Sequence, residues 1–377
     1  MIDLTNKRTK LEDLLARMAE SIQLDSTRRR KMEETYHAIE NVLDSDEHFF
    51  GNNEFEIYPQ GSVSLGTTVR PIGKNEFDLD IVVHIQADYQ YFTPLQIYNQ
   101  LKRVLQNSGN HKDLVELKNR CIRLNYAGDF HMDILPGIQE NDYDVNRLVV
   151  PDRELGDWTS SNPRGFSEWF LSKNNAVLQT LLEKAYAQAE LPPDDFAKKK
   201  PLQRSVQLVK MYRDQYFENN QSKSTSSIIL TTIFAEYYQG EDSIYSTIEN
   251  IINKIKIDIS SKELTNERIV VLNPVNSQED FSEKWDINKE PELYLEFKRF
   301  VNHLDTEWQK LKDENGHYES DTIIKGLFGE ALYERGISRQ KEYLETKQVK
   351  DRANYTGLKK LAAPLTPQHK PWLNNEF

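Results

Sequence analysis

The segment "EFDLDIVVHI" constrains this chain more than any other. Phe77, Leu79, Ile81, Val83 and Ile85 are apolar at period two, while Glu76, Asp78, Asp80 and His84 fall on the other face. The alternation predicts a strand with one face in the core. Asp78 and Asp80 are two apart, so both carboxylates project from the same side of a strand that has every reason to stay dry.

A second segment, "CIRLNYAGDFHMDILPGI", reads as a hairpin with Gly128 and Asp129 in its turn. Its second strand buries Phe130, Met132 and Ile134 and leaves His131 and Asp133 on the opposite face. If the two strands share a sheet, three carboxylates converge. Like charges about 4 Å apart repel by roughly 4 kcal/mol even at an effective dielectric of 20. Such a cluster persists only if protonated or neutralised by a cation. Oxygen ligands without His or Cys suit Mg²⁺ or Mn²⁺, and two such ions are the usual device for in-line phosphoryl displacement. His84 and His131 flank the acids and read as satisfied strand histidines.

Upstream, "YPQGSVSLG" adds the complementary half. Gly61 permits close backbone approach to a phosphate, and Ser62 offers a hydroxyl and an N–H. A helix starting near residues 62–65 would turn its N-terminus toward anionic oxygens. A Gly-Ser pair alone is a common turn, and a lone D-x-D is usually two surface acids. The ordered combination, with a third acid in a later strand, is hard to obtain from structural needs alone.

The rest of the chain sets bounds. At 377 residues, two domains or one enzyme with an added helical layer are expected. A hydrophobic content of 38% suffices for a sizeable core, and 29% charged residues point to a soluble protein. The start lacks a signal-peptide apolar stretch, no membrane span is legible, and a single cysteine, Cys121, excludes an internal disulfide or a cysteine-based zinc site. A cytoplasmic protein is expected. The net charge of −12 argues against bulk nucleic-acid binding. A local basic run (Lys198, Lys199, Lys200, Arg204, Lys210 and Arg213) reads as a solvated helix face.

Helical spacing predicts helices over 8–24, 27–45, 94–107, 163–187, 199–219, 226–239, 243–256 and 291–313. The last carries an apolar stripe from Leu293 through Phe297, Phe300, Leu304 and Trp308 to Leu311. "LPPDDF" is a connector. The proline-bearing stretch 363–377 is expected to be an extended tail.

The strings "QGSVSLGTTVRP", "EFDLDIVV" and "FHMDILPGI" resemble the polymerase-β-like nucleotidyltransferase superfamily. "PLQRSVQLVKMYRDQYF", "KSTSSIILTTIFAEYY" and "LNPVNSQEDFSEKW" narrow the resemblance to the bacterial cGAS/DncV-like nucleotidyltransferases, the CD-NTases, over about residues 55–310. The resemblance implies an α+β protein: a polymerase-β-like core, a mixed sheet with helices, packed on a helical C-terminal lobe. Expected units are 1–160 (core with N-terminal helices), 161–320 (helical lobe) and 321–377 (helical segment and tail). It implies a Mg²⁺-dependent, template-independent synthase of cyclic oligonucleotide messengers from NTPs, with Mn²⁺ as a substitute, acting in antiphage defence.

By the same resemblance, Gly61 and Ser62 grip the triphosphate. Asp78 and Asp80 bind both metals, and Asp133 completes the site beside the attacking hydroxyl. Lys210 and Ser226 or Ser227 reach the outer phosphates. A solvated lysine and a helix N-cap are the plainer readings of the last three. The resemblance also suggests a regulatory partner of ubiquitin-like-conjugation or HORMA type. No nucleic-acid activator is expected, since one cysteine cannot build the zinc-bearing insertion of the animal enzyme. The alternatives are an RNA-end nucleotidyltransferase and an inactive nucleotide-sensing module.

Overall fold

The computed structural model describes residues 7–70, 77–126, 128, 130–173, 175–286, 288–313 and 317–361. Glu76, Asp129 and the stretch 363–377 lie outside the described residues. The chain opens with α1 (Lys7–Ser21) and α2 (Ser26–Asp44), then β1 (Phe55–Gln60), α3 (Gly61–Leu65), β2 (Phe77–Ile85) and α4 (Pro94–Asn107). Strands β3 (Val115–Leu117), β4 (Ile122–Tyr126), β5 (Phe130–Gln139), β6 (Leu148–Asp152) and β7 (Asp157–Ser161) follow. Helices then take over: α5 (Pro163–Ser172), α6 (Ala176–Ala187), α7 (Pro201–Tyr216), α8 (Ser227–Tyr237) and α9 (Ile244–Leu264). A small hairpin of β8 (Leu272–Asn273) and β9 (Asn276–Asp280) precedes α10 (Pro291–Asp313), α11 (His317–Phe328) and α12 (Glu330–Leu361).

The main sheet runs β1-β2-β5-β4-β3, with β6 and β7 continuing from the end of β5. β2 and β5 are parallel and the other pairs antiparallel. A parallel pair needs a crossover, here α4 with the β3–β4 hairpin between the two strands. The register sets Asp78 beside His131 and Asp80 beside Asp133. The predicted alternation holds on β2: Leu79, Ile81, Val83 and Ile85 are fully buried, in one core with Met32, Tyr36, Ile39 and Leu43 of α2 and Ile97 and Leu101 of α4. That core leaves the acids on the sheet's other face.

A second core is helical. It gathers α5 to α11 around the stripe of α10, with Phe297, Phe300, Leu304 and Trp308 buried. The N-terminal helix belongs to this core, through Leu14, Leu15, Met18 and Ala19. Gly336 of α12 lets the two helices close, since a Cβ there would meet Met18 Cγ at 2.4 Å.

The single helix expected over 163–187 is two. Asn175 breaks it: its side chain accepts the Leu178 N–H at 3.1 Å and donates to the Lys198 carbonyl at 2.9 Å, capping α6. The basic run is also not one solvated face. Lys199 and Lys210 are buried, and Lys199 pairs with Asp194 at 2.6 Å. Among the described residues, no helix is long and apolar enough to cross a membrane.

Candidate active site

β1 ends at Gln60, and the chain turns at once into the short helix α3. Gly61 adopts φ +60°, a left-handed conformation costly to any residue with a Cβ. A Cβ there would also lie 2.6 Å from Asp80 Oδ2. The backbone at Gly61 is therefore pressed against the Asp80 carboxylate, with Ser62 next to it. Gly66, at φ +65°, stops the helix, and Thr67 N–H closes it by donating to the Ser62 carbonyl at 2.9 Å.

A cleft of about 900 Å³ opens between the sheet and the helical core. Gly61, Ser62, Asp78 and Asp80 line it from the sheet side, and Lys210, Arg213 and Ser227 from α7 and α8. The structure thus brings six of the expected residues to one cavity. Ser226 is outside the lining; it is exposed and stands at the N-cap of α8 without a side-chain capping bond. Asp133 is register-paired with Asp80, and both its oxygens are held by Arg123, from Nε at 2.7 Å and Nη2 at 2.8 Å.

The electrostatics follow from this crowding. Burial, then the Asp78 and Asp133 carboxylates, push the Asp80 carboxyl up to about 7, against the pull of Lys210 and Arg123. Desolvation in the cleft raises Asp78 as well, although its side chain is 58% exposed to the cleft. Lys210 is lowered to about 7 by burial and the nearby Arg213 guanidinium, with Asp80 opposing. Its ammonium donates to Thr67 O and Oγ1 at 3.2 Å, which ties α7 to the loop after α3.

Several lining residues carried no sequence signal, and in sequence Arg213 reads only as part of a solvated basic run. Phe328, Gly329, Glu330, Ala331 and Leu332, at the junction of α11 and α12, form the far wall of the cleft. Arg213 is held by Asp214 and donates to Ser227 Oγ. Arg123 and Asp133 are both outside the lining, and the hairpin register pairs them.

A strand-borne acid pair, a Gly-Ser turn and a buried lysine thus meet around one cleft. A family profile described as "Second Messenger Oligonucleotide or Dinucleotide Synthetase domain" matches residues 10–174. A c-di-GMP synthase of Roseivirga ehrenbergii is 42% identical over 92% of this chain and 92% of its own length. The solved Bradyrhizobium diazoefficiens CD-NTase CdnG, in complex with GTP, has a TM-score of 0.71 at 21% identity, covering 87% of this chain and 98% of that one. An Escherichia coli CdnC solved in a CdnC:HORMA-deltaN complex has a TM-score of 0.59 at 14% identity, over 84% of this chain and 96% of that one. The chain belongs to the CD-NTase family, nucleotidyltransferases that make cyclic oligonucleotides from NTPs.

The family implies a divalent metal cofactor, and the residues present fit one. The donors are carboxylate oxygens only, on rigid backbone. Asp80 makes no hydrogen bond or ion pair among the described residues, and its raised pKa records a negative charge short of compensation. A cation relieves that strain.

Proposed function

We propose that the cleft joins nucleoside triphosphates, guanine-bearing ones included, into a cyclic dinucleotide with release of pyrophosphate. The observation that carries this reading is the meeting of Asp78 and Asp80 with Gly61, Ser62 and Lys210 around one cavity. The 42% identity to a c-di-GMP synthase supports the guanine content.

In this reading Asp78 and Asp80, with Asp133, hold two Mg²⁺ ions, which neutralise charge on the reacting phosphates; Mn²⁺ substitutes. The Gly61–Ser62 backbone packs against the triphosphate, and the Ser62 hydroxyl adds a donor. Lys210 and Ser226 or Ser227 take the outer phosphates from the helical side. Asp133 stands beside the attacking ribose hydroxyl and helps remove its proton. The remaining work is positioning. The use of NTPs supports a cytoplasmic location, and the family supports a role in antiphage defence. A HORMA-type regulator is supported by the CdnC relative, and a ubiquitin-like-conjugation partner by family habit.

Incubation with labelled NTPs and Mg²⁺, with products separated by chromatography, tests the reading. A nuclease-resistant cyclic product and pyrophosphate are expected, and double-stranded DNA or RNA should not raise the rate. Extension of an added RNA end would instead favour the tailing reading, and no turnover under any activating condition the inactive sensor.

Lys210→Ala should weaken triphosphate use about ten- to a hundredfold, from loss of a charge-assisted contact of about 1.5–3 kcal/mol. Monophosphate binding, read by calorimetry, should change much less. Equal losses for both would show that the lysine serves the Thr67 loop alone.

A further inference from the structure

Arg123 of β4 stands beside Asp133 of β5, which stands beside Asp80 of β2, in one row across three strands. The guanidinium donates to both Asp133 oxygens, and its Nη2 also lies 3.8 Å from Asp78 Oδ1. A cross-strand ion pair is ordinary in itself. This one takes both oxygens of an acid that belongs with two others, and it reaches one of those. Among the described residues, no three His, Cys, Asp or Glu side chains are gathered to hold a metal ion. Asp80 and Asp133 are nonetheless direct register partners. The Asp133 carboxylate is instead taken up by the fork of Arg123.

We propose that Arg123 competes with a divalent cation for Asp133, so that the acids bind bare metal weakly and hold it firmly only when it arrives with a triphosphate. The inference rests on the reading of Asp78, Asp80 and Asp133 as the metal-holding acids. A guanidinium presents the same planar fork to carboxylate and phosphate oxygens. An incoming triphosphate therefore offers Arg123 a second acceptor and supplies the negative charge that strengthens the cation's hold. Arg123 acts on Asp133 and not on the reacting atoms, which makes it a positioning residue. The consequence is order: nucleotide and metal load together, and free metal does not lock the site.

The test is Mn²⁺ binding to the full chain without nucleotide, followed by the electron paramagnetic resonance signal of free Mn²⁺. Arg123→Gln should raise Mn²⁺ affinity about ten- to a hundredfold, the worth of a two-point charged contact. Arg123→Lys, which keeps the charge and loses the fork, should give a smaller gain and carries the test if the Gln variant fails to fold. Adding Asp133→Asn to Arg123→Gln should remove the gain. With a non-hydrolysable triphosphate present, wild type and Arg123→Gln should bind Mn²⁺ nearly alike. A folded Arg123→Gln or Arg123→Lys variant whose Mn²⁺ affinity is no higher than wild type overturns the proposal, leaving Arg123 a purely structural partner. The site reading is tested apart: if Asp78→Asn and Asp80→Asn both keep wild-type Mn²⁺–triphosphate binding, that reading fails whatever Arg123 does.

Discussion

Asp80→Asn is expected to lower turnover of nucleoside triphosphates by roughly three orders of magnitude or more, and Asp78→Asn to do the same. Charge neutralisation by a bound cation contributes several kcal/mol to such a transfer, and the loss of a ligand forfeits most of it. The fold should survive, because the acids face the cleft while the core side of β2 is untouched. The Asp80 variant carries a second, opposite signature in stability without metal. Its carboxyl is held at about 7 in the folded protein, against an ordinary 3.8. Between about pH 4 and pH 7 the unfolded chain has already lost a proton that the folded protein still keeps, so wild-type stability falls as pH rises through that window. Asparagine has no such proton. Asp80→Asn should therefore melt above wild type at pH 8, and the gap should close toward pH 4. A thermal unfolding series across pH measures this. A variant that melts lower at pH 8 would show that Asp80 is already compensated without metal.

Gly61→Ala is expected to fold and to lose turnover at least a hundredfold. The new Cβ meets two obstacles: a backbone at φ +60°, worth about 1–2 kcal/mol against an L-residue, and the Asp80 Oδ2 at 2.6 Å. The neighbour that must yield is the end of a side chain and so can move, but it is the site's own acid. Misplacing a reacting group by about 1 Å typically costs about a hundredfold. Steady-state kinetics beside a melting curve separates the two effects, since a small drop in melting temperature with a large loss of rate is the expected pair. Near-normal rates in Gly61→Ala would mean that the contact with Asp80 does not govern the site.

The parts of this molecule that obey a short period were legible in the sequence. Alternation on residues 77–85 gave the strand and its acid face, and the helical stripe of 291–313 gave α10. The Gly-Ser turn opens α3 where an N-terminus was expected. Arg123 was within reach. Residues 126 and 130 pair across Gly128, so counting outward by three sets Arg123 opposite Asp133. Lys210 illustrates the limit. It sits between Val209 and Met211 with Arg204 and Arg213 further along, and only packing from α1, α8, α9 and α11 around α7 reveals that it is buried. The break at Asn175 hid because its cap is completed by the carbonyl of Lys198, 23 residues away. The far wall at residues 328–332 had no local pattern at all: it is made by where two helices meet.

That wall has a consequence for how the protein comes into being. α1 is the first described element to leave the ribosome, yet α12, its packing partner, is the last, and Gln340 of α12 reaches Asp13 of α1 at 2.9 Å. Translation proceeds at about 5–20 residues per second, so the first helix waits many seconds for its mate. The strand pairings of the sheet that carries the acids are complete by β7, although β7 also packs on the later β9. The wall at residues 328–332 cannot stand until the chain beyond it has emerged and docked. A nascent chain that has not yet released α12 is therefore expected to carry the acids without an enclosed pocket.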